Sequence, residues 1–297
     1  MLDDLIRRTL PFRVAQPLLF RRAQRYYQHV GMGQHAHRDS EVIDFLRSAG
    51  RHSTLLTGPA KSGNTWTRLV IYNYFRILHE GAIGSTLTFK EVNALQPNVL
   101  RNGPLSLPTE GYPLFVRAHE HYRPSFDHFD TVAYVYRHPL DTLVSLFYYN
   151  TRREVPSIPQ GLSKRQQERY CTDIDAFALH NAFDWALFHA RTKHHAHVAL
   201  CYERMKEDPN ASFEPLIRHM TGTVHPTALA RSIEISDIER VRERHQDVGD
   251  PKGYSDMGLK VSFTRSGRTG QYKQELKPST IEQVLWFLDR VGITEFR

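Results

Sequence analysis

Residues 53–70 read STLLTGPAKSGNTWTRLV, and this stretch decides how the fold begins. Its middle, GPAKSGNT at residues 58–65, nearly matches the phosphate-binding pattern G-x-x-x-x-G-K-[ST], in which backbone N–H groups and a lysine hold phosphate oxygens. Asn64 stands at the lysine position, and Lys61 lies earlier, inside the loop itself. The remaining members of the pattern are present as Gly58, Gly63 and Thr65. An apolar run before the loop and helical apolar spacing after it predict a strand, an anion-binding loop and a helix.

The composition is that of a folded protein with an excess of positive charge. Of 297 residues, 40% are hydrophobic and 24% are charged, which suits one large domain or two small ones. The net charge of +7 favours a polyanionic partner, such as nucleic acid, an acidic glycan, a membrane surface or a highly charged small anion. The two cysteines, Cys171 and Cys201, form no C-x-x-C pattern, which favours a reducing cytoplasm. No apolar run reaches the roughly 20 residues that span a bilayer.

Short apolar runs alternate with helical patterns along the chain. Further strands are predicted within residues 112–119, 131–138 and 197–205. Helices are predicted over residues 139–150, 173–193, 233–245 and 278–293. This alternation predicts an α/β fold, in which a central, mostly parallel sheet is flanked by helices within a single domain.

We expect that domain to occupy residues 51–297. Residues 1–50 are expected to form a helical and linker segment that packs on the domain or leads into it, and its basic N-terminus suggests a peripheral membrane contact. Two long polar stretches, 151–169 and 247–274, show no regular pattern and are predicted to be loops with a functional role.

The end of the strand within 131–138 carries a cation where a metal ligand would be expected. Phosphoryl-transfer sites of the P-loop type hold Mg²⁺ partly through an aspartate at the end of a nearby strand. Arg137 occupies that place here, and Ser145 follows about two helical turns later in RHPLDTLVS. Taken alone, the pair fits a capping arginine and an ordinary helical serine equally well. A late loop with Arg265, Gly267 and Gly270 likewise fits either an anion nest or a solvated basic loop.

Four motifs, taken together, resemble the sulfotransferases that use 3′-phosphoadenosine 5′-phosphosulfate (PAPS). That family carries PKSGTTW after its first strand, R-x-P-x-D-x-x-x-S after a later strand, YEDMKxDP, and RKGxxGxWK near the C-terminus. The corresponding segments here are AKSGNTW (60–66), RHPLDTLVS (137–145), YERMKEDP (202–209) and RSGRTGQYK (265–273). Their order, spacing and predicted secondary structure agree over residues 50–275. The resemblance implies a P-loop-like phosphosulfate loop in an α/β domain, and PAPS as the co-substrate with no metal required.

The resemblance also implies a role for each matching residue. The 5′-phosphosulfate would be cradled by Lys61, Ser62, Gly63, Asn64 and Thr65. The 3′-phosphate would be held by Arg137, Ser145, Arg265, Ser266 and Gly267. The adenine would lie near Trp66 and Tyr202.

The family's catalytic histidine lies in a K-T-H segment, which corresponds here to Arg117, Ala118 and His119. The resemblance therefore implies His119 as the general base, with Arg117 beside the transferred group and Lys61 at the leaving oxygen. The chemistry asks for the same residue types, since a histidine can accept a proton near neutral pH and a cation can stabilise developing negative charge.

Some departures from the family pattern matter. Ser266 replaces a basic residue, which weakens the expected grip on the 3′-phosphate, and Arg268 could compensate. Ser236 matches a family serine beside the adenine, but Asp237 breaks that match. The dimer signature of many cytosolic members does not fit in register, so the oligomeric state stays open.

Two other functions are compatible with parts of this sequence. One is a nucleotide kinase or NTPase with a variant P-loop, and the other is a non-catalytic protein that binds a polyanion. The sequence does not define the acceptor. A small molecule, a lipid-like alcohol and a glycan all fit, and nucleic acid is not expected as a partner.

Overall fold

Four parallel strands form the sheet of the described chain. The computed structural model describes residues 10–29, 36–81, 84–96, 105, 107–108, 110–250 and 265–296. The strands are β1 (Ser53–Thr57), β2 (Leu114–Arg117), β3 (Thr131–Tyr136) and β4 (Val198–Cys201), in the order β2-β1-β3-β4. Every residue of β1 is buried, as expected for a parallel strand that is covered on both faces.

Helices connect and cover these strands. In the first half of the chain they are α1 (Phe12–His29), α2 (Ala36–Ala49), α3 (Asn64–Glu80), α4 (Phe89–Leu95) and α5 (Pro139–Thr151). In the second half they are α6 (Lys164–Thr172), α7 (Ile174–Thr192), α8 (Tyr202–Glu207), α9 (Pro209–Thr221), α10 (Pro226–Ile235), α11 (Ile238–Asp247), α12 (Tyr272–Glu275) and α13 (Pro278–Arg290). Short 3₁₀ turns lie at Pro124–His128 and Lys193–His195.

The order and register of the strands bring distant segments to one edge of the sheet. Thr54 of β1 pairs with Phe115 of β2 and with Thr131 of β3. Because all four strands run in the same direction, the segments that follow them meet at the carboxyl edge, where ligands bind in open α/β sheets. The predicted α/β fold with a central parallel sheet is therefore confirmed.

The N-terminal helix packs on the domain. Phe20 of α1 makes edge-to-face contacts with Phe183 of α7 and Phe287 of α13, and it is almost fully buried. The predicted division at residue 50 stays a prediction. Among the helices that the structure describes, none combines the length and the apolar character needed to cross a membrane.

Two predicted segments differ from the structure. The helix predicted over 233–245 is interrupted, because α10 ends at Ile235 and α11 begins at Ile238. The Asp237 carboxylate caps the new helix by accepting a hydrogen bond from the Glu239 N–H at 2.9 Å. The stretch 151–169, predicted to be a loop, contains the start of α6, which Ser163 and Gln166 begin with a reciprocal capping box. Most of the other predicted loop, 251–264, lies outside the described residues.

Candidate active site

The loop between β1 and α3 requires its glycines because other backbone and side-chain atoms lie close to it. A Cβ on Gly58 would lie 2.2 Å from the carbonyl oxygen of Val135 in β3, and one on Gly63 would lie 2.8 Å from a ring carbon of Tyr202. Gly63 also has a φ of +110°, in the region that favours glycine. Asn64 closes the loop by donating a hydrogen bond from its amide to the Pro59 carbonyl at 3.0 Å.

The loop forms one wall of a cavity of about 530 Å³ at the carboxyl edge of the sheet. All but one of the residues that the sequence predicts for the site line this cavity. They are Lys61, Gly63, Asn64, Thr65, Trp66, Arg117, His119, Arg137, Ser145, Tyr202, Arg265, Ser266 and Gly267. The exception is Ser62, which is fully buried and whose hydroxyl has no hydrogen-bond partner among the described residues. The structure therefore brings together segments that are more than 200 residues apart in sequence.

Lys61 is held in a strained loop conformation beside other cations. Its φ of +71° lies in the left-handed region, and its Nζ lies 4.6 Å from the centroid of the Tyr149 ring. Burial, reinforced by the positive charges of Arg137 and Arg265, lowers the pKa of Lys61 to about 7. An anion beside Nζ would favour the charged form, so the surroundings suit a lysine that acts on a bound anion.

Arg137 follows β3, is buried, and contacts the late loop, α5 and the Tyr202 ring. Its Nη2 donates to the carbonyl oxygen of Arg268, and the same nitrogen lies 3.6 Å from the Asp141 carboxylate. Its guanidinium carbon lies 4.7 Å from the centroid of the Tyr202 ring. The buried Nε makes no hydrogen bond with described residues, and it lies 4.0 Å from the Glu203 carboxylate. This donor set fits an anionic oxygen, as a phosphate group would supply.

Asp141, whose role the sequence analysis missed, holds the late loop against this arginine. Its carboxylate accepts hydrogen bonds from the Gly270 N–H at 2.6 Å and from the Tyr272 N–H at 3.1 Å, and it is 1% exposed. The sequence places Asp141 four residues after Arg137 inside RHPLDTLVS, which indicates a neighbour of the arginine but not a partner of the late loop. The aspartate therefore sets the position of the loop that carries Arg265 and Gly267.

Arg265 is fixed by neighbours on its own loop, on α12 and on α5. Its guanidinium pairs with Glu275 at 3.2 Å, donates to Gln271, and lies 4.3 Å from the centroid of the Tyr148 ring. Ser266, in contrast, offers only a hydroxyl, and the Arg268 side chain is exposed. Arg268 is not among the residues that line the cavity, and its compensation for the missing basic residue at position 266 stays a prediction.

An aromatic wall adjoins the phosphate loop. Trp66 makes edge-to-face contacts with Tyr202 at 6.0 Å and with Phe213 at 5.6 Å, and the Nζ of Lys206 lies 5.3 Å from its ring. The Tyr202 hydroxyl donates to the Gly267 carbonyl at 2.8 Å, which links this wall to the late loop.

Ser236 reaches the cavity because the chain turns between α10 and α11. The residue is 1% exposed, and its hydroxyl accepts a hydrogen bond from the Asn73 amide at 2.9 Å. Asp237 and Ile238 line the cavity beside it. The break in the predicted helix therefore contributes to the site.

His119 and Arg117 come from the end of β2. The Nδ1 of His119 lies 3.3 Å from the Gly58 carbonyl, so a proton on Nδ1 would donate there and leave Nε2 as an acceptor. Burial, together with the charges of Arg117 and Arg68, lowers the pKa of His119 to about 4, which keeps the imidazole neutral near pH 7. His121, two residues further on, accepts a hydrogen bond from Arg191 Nε at 3.2 Å and is not among the residues that line the cavity.

The structure adds lining residues that the sequence analysis did not select. Among them are Arg68, Phe89, Asn93, Arg153 and Lys206. Arg68 could have been found from its spacing, because it lies one turn after Asn64 and therefore on the same face of α3. No group of three or more His, Cys, Asp or Glu side chains within the described ranges could hold a metal ion.

Comparisons with known proteins assign the class of protein. Residues 51–290 match the family model of the sulfotransferase domain. The chain therefore belongs to the sulfotransferase family, which confirms the predicted enzyme class and, with it, PAPS as the sulfuryl donor. No curated protein sequence matched the chain.

Solved structures share this fold. Retinol dehydratase in complex with androsterone and the inactive cofactor PAP has a TM-score of 0.59 at 14% identity, over 85% of this chain and 87% of that one. Retinol dehydratase in a complex with retinol and PAP has a TM-score of 0.56 at 15% identity, over 86% of this chain and 87% of that one. Mouse sulfotransferase SULT7A1 complexed with PAP has a TM-score of 0.55 at 17% identity, over 85% of this chain and 90% of that one.

Proposed function

We propose that this sulfotransferase moves the sulfuryl group of PAPS to a hydroxyl or amine of its acceptor, with His119 as the general base. The observation that supports this most directly is that His119 lines the same cavity as Lys61 and Arg137, with its Nδ1 3.3 Å from the Gly58 carbonyl. PAPS supplies the activated sulfuryl group. The other functions weighed, a kinase or NTPase and a non-catalytic polyanion binder, have no comparable support.

The residues divide the work according to where charge develops. His119 Nε2 accepts the proton of the attacking hydroxyl, because Nδ1 is directed to the Gly58 carbonyl. Lys61 stabilises the negative charge on the leaving phosphate oxygen, and Arg117 acts beside the transferred group. Arg137, with Ser145 and the late loop, holds the 3′-phosphate.

Binding of PAP (adenosine 3′,5′-bisphosphate), the product that PAPS leaves after sulfuryl transfer, tests this assignment. We expect PAP to raise the melting temperature of the protein, and ATP with Mg²⁺ to raise it much less. Arg137→Ala should weaken binding of PAP far more than binding of adenosine 5′-phosphosulfate, because only PAP has the 3′-phosphate. Equal losses for both ligands would remove Arg137 from that role, and stabilisation by ATP with Mg²⁺ alone would end the proposal.

We further propose a small-molecule, lipid-like or glycan acceptor and a cytoplasmic reaction. Both cysteines are free thiols, which is consistent with a reducing compartment.

The exposed side of α1 presents Val14 and Leu18, which are 47% and 49% exposed, at a spacing of one turn. Exposed arginines follow on the same helix at Arg21, Arg22 and Arg25. We propose that this helix contacts anionic membranes peripherally, and absence of co-sedimentation with phosphatidylserine vesicles would refute the contact.

A further inference from the structure

An aromatic stack holds the end of the late loop. Tyr272, the first residue of α12, directly follows this loop. Its ring lies parallel to the imidazole of His138, with 4.5 Å between the centroids and 2° between the planes. His138 itself directly follows Arg137, and its backbone N–H donates to the Glu203 carboxylate at 3.1 Å. The stack therefore joins the residue beside the proposed 3′-phosphate arginine to the end of the late loop.

Phe296 supports the same imidazole from another direction. Its ring makes edge-to-face contacts with His138 at 5.6 Å and with Tyr136 of β3 at 6.2 Å. Burial lowers the pKa of His138, and a hydrogen bond from the ring to the Phe296 backbone acts in the opposite direction. On its other contacts, Phe296 meets Trp185 at 5.3 Å and His189 at 5.7 Å, both on α7. Phe296 therefore connects α7 to the His138 ring.

The residue before Phe296 is tied to the core of the domain. One carboxylate oxygen of Glu295 lies 2.9 Å from the Nε2 of His189, and the other accepts a hydrogen bond from Lys193. His189 is 2% exposed, and its Nδ1 lies 3.0 Å from the Tyr134 hydroxyl in β3. Because His189 connects Glu295 to the sheet, the position of Phe296 is set by elements that lie outside the late loop.

Two separate contacts thus determine where α12 begins. The Asp141 carboxylate accepts from the backbone N–H of Tyr272, whereas His138 stacks on its ring. A loop that is already ordered binds its ligand more tightly, because less conformational freedom is lost on binding. The ring contacts from Phe296 through His138 to Tyr272 therefore favour the loop conformation that the donor meets.

We propose that His138 and Phe296 are positioning residues for the donor, which hold Tyr272 and thereby the late loop in the conformation that binds the 3′-phosphate. The inference rests on the proposed function, since it takes the late loop as part of the 3′-phosphate site. None of His138, Tyr272 and Phe296 is among the residues that line the cavity. Their effect on the donor is therefore transmitted through the loop.

Two ligands that differ only in the 3′-phosphate test this role. They are PAP and adenosine 5′-monophosphate (AMP), with the binding of each measured by calorimetry. His138→Ala and Phe296→Ala should each reduce the ratio of PAP to AMP affinity by about 3- to 10-fold, the size expected for the loss of an aromatic pair. The affinity for AMP should change little, because AMP has no 3′-phosphate for the late loop to bind.

A conservative pair of variants tests whether the ring itself carries the effect. Tyr272→Ala removes the stack and should lower the ratio as His138→Ala does, which also provides a measurement if another variant does not fold. Tyr272→Phe keeps the ring and should retain the wild-type ratio to within about 2-fold.

Phe12→Ala is the matched control for a general loss of stability. Phe12 is half-buried like Phe296, packs against the same hydrophobic cluster, and makes an edge-to-face contact with Phe287 at 6.0 Å. Its replacement should lower the melting temperature and leave the ratio of PAP to AMP affinity unchanged.

The failure of the inference and the failure of the proposed function give different results. If the wild-type protein binds PAP no more tightly than AMP, the proposed 3′-phosphate site fails and the inference fails with it. If the wild-type protein prefers PAP, but folded His138→Ala and Phe296→Ala keep that preference, the positioning role is wrong and the proposed function stands. An equal fall of the ratio in Phe12→Ala would likewise contradict the positioning role.

Discussion

Replacing Asp141 with alanine should destabilise the protein by about 3–5 kcal/mol, the range for breaking a buried ion pair. The carboxylate is almost fully buried and accepts two backbone hydrogen bonds, from Gly270 at 2.6 Å and from Tyr272 at 3.1 Å. Hydrogen bonds to a charged group contribute about 1.5–3 kcal/mol each, so these two alone reach that range. Arg137 limits the loss, because it keeps the Arg268 carbonyl and the Glu203 carboxylate as neighbours.

Urea unfolding followed by tryptophan fluorescence measures the effect. Asp141→Asn should lose about half as much as the alanine variant, since its amide oxygen can accept one of the two hydrogen bonds. Glu214→Ala is the control, because Glu214 is half-exposed and pairs with Arg218 one turn away, so less than about 0.5 kcal/mol should be lost. A loss below about 1 kcal/mol for Asp141→Ala would refute the clamping role.

The affinity for PAP separates two roles of the same carboxylate. If Asp141 mainly positions the late loop, then Asp141→Ala weakens PAP binding by roughly tenfold or more, because Arg265 and Gly267 are no longer held in place. If it mainly neutralises Arg137, its removal strengthens PAP binding. We expect weaker binding, and tighter binding would show that the loop argument is wrong.

Three further predictions concern the loop and the base. Because the pKa of Lys61 is lowered to about 7 in the fold from 10.5, the unfolded chain binds more protons between these values, so stability rises with pH through that window. Binding of PAP at about pH 8 should raise the pKa of Lys61 again, so that the complex takes up a proton. Calorimetry in buffers of different ionisation enthalpy measures this uptake. An unchanged proton uptake in Lys61→Met would contradict this role of the lysine. The low pKa of His119 places the acid limb of the pH profile of kcat/KM near pH 4. His119→Gln should lower the rate of sulfuryl transfer by roughly 10²- to 10⁴-fold. An acid limb near pH 6.5 would argue against His119 as the base. Gly63→Ala should destabilise the protein by about 1–3 kcal/mol more than Gly161→Ala in thermal unfolding. Both glycines have positive φ, but only the Cβ at Gly63 meets Tyr202, so equal losses would remove the steric argument.

The sequence predicts those parts of the fold that depend on local patterns. The buried run Thr131–Tyr136 reads as a strand because apolar residues follow one another between polar ones, and Pro139 marks the start of α5. The phosphate loop is recognisable because its glycines stand where the strand–loop–helix arrangement leaves no room for a Cβ.

Features that depend on long-range contacts could not be predicted in the same way. The hydrogen bond between Asp141 and Gly270 joins residues that are 129 positions apart, and no local pattern encodes it. The lining role of Arg68 depends on which face of α3 meets the cavity, which its spacing from Asn64 indicates only once the loop is located. The start of α6 was missed for another reason, since its helix is polar throughout except for the buried Tyr170.

The position of the late loop along the chain bears on how the protein is made. All four strands of the described sheet, and the phosphate loop with them, are synthesised before residue 202. Arg265, Ser266 and Gly267, which complete the proposed 3′-phosphate site, emerge after every one of these elements. A nascent or truncated chain that ends before residue 265 contains every strand of the described sheet but lacks the segment that Asp141 and Tyr202 hold. If the late loop holds the 3′-phosphate as proposed, tight donor binding is acquired only after all of these strands have been made.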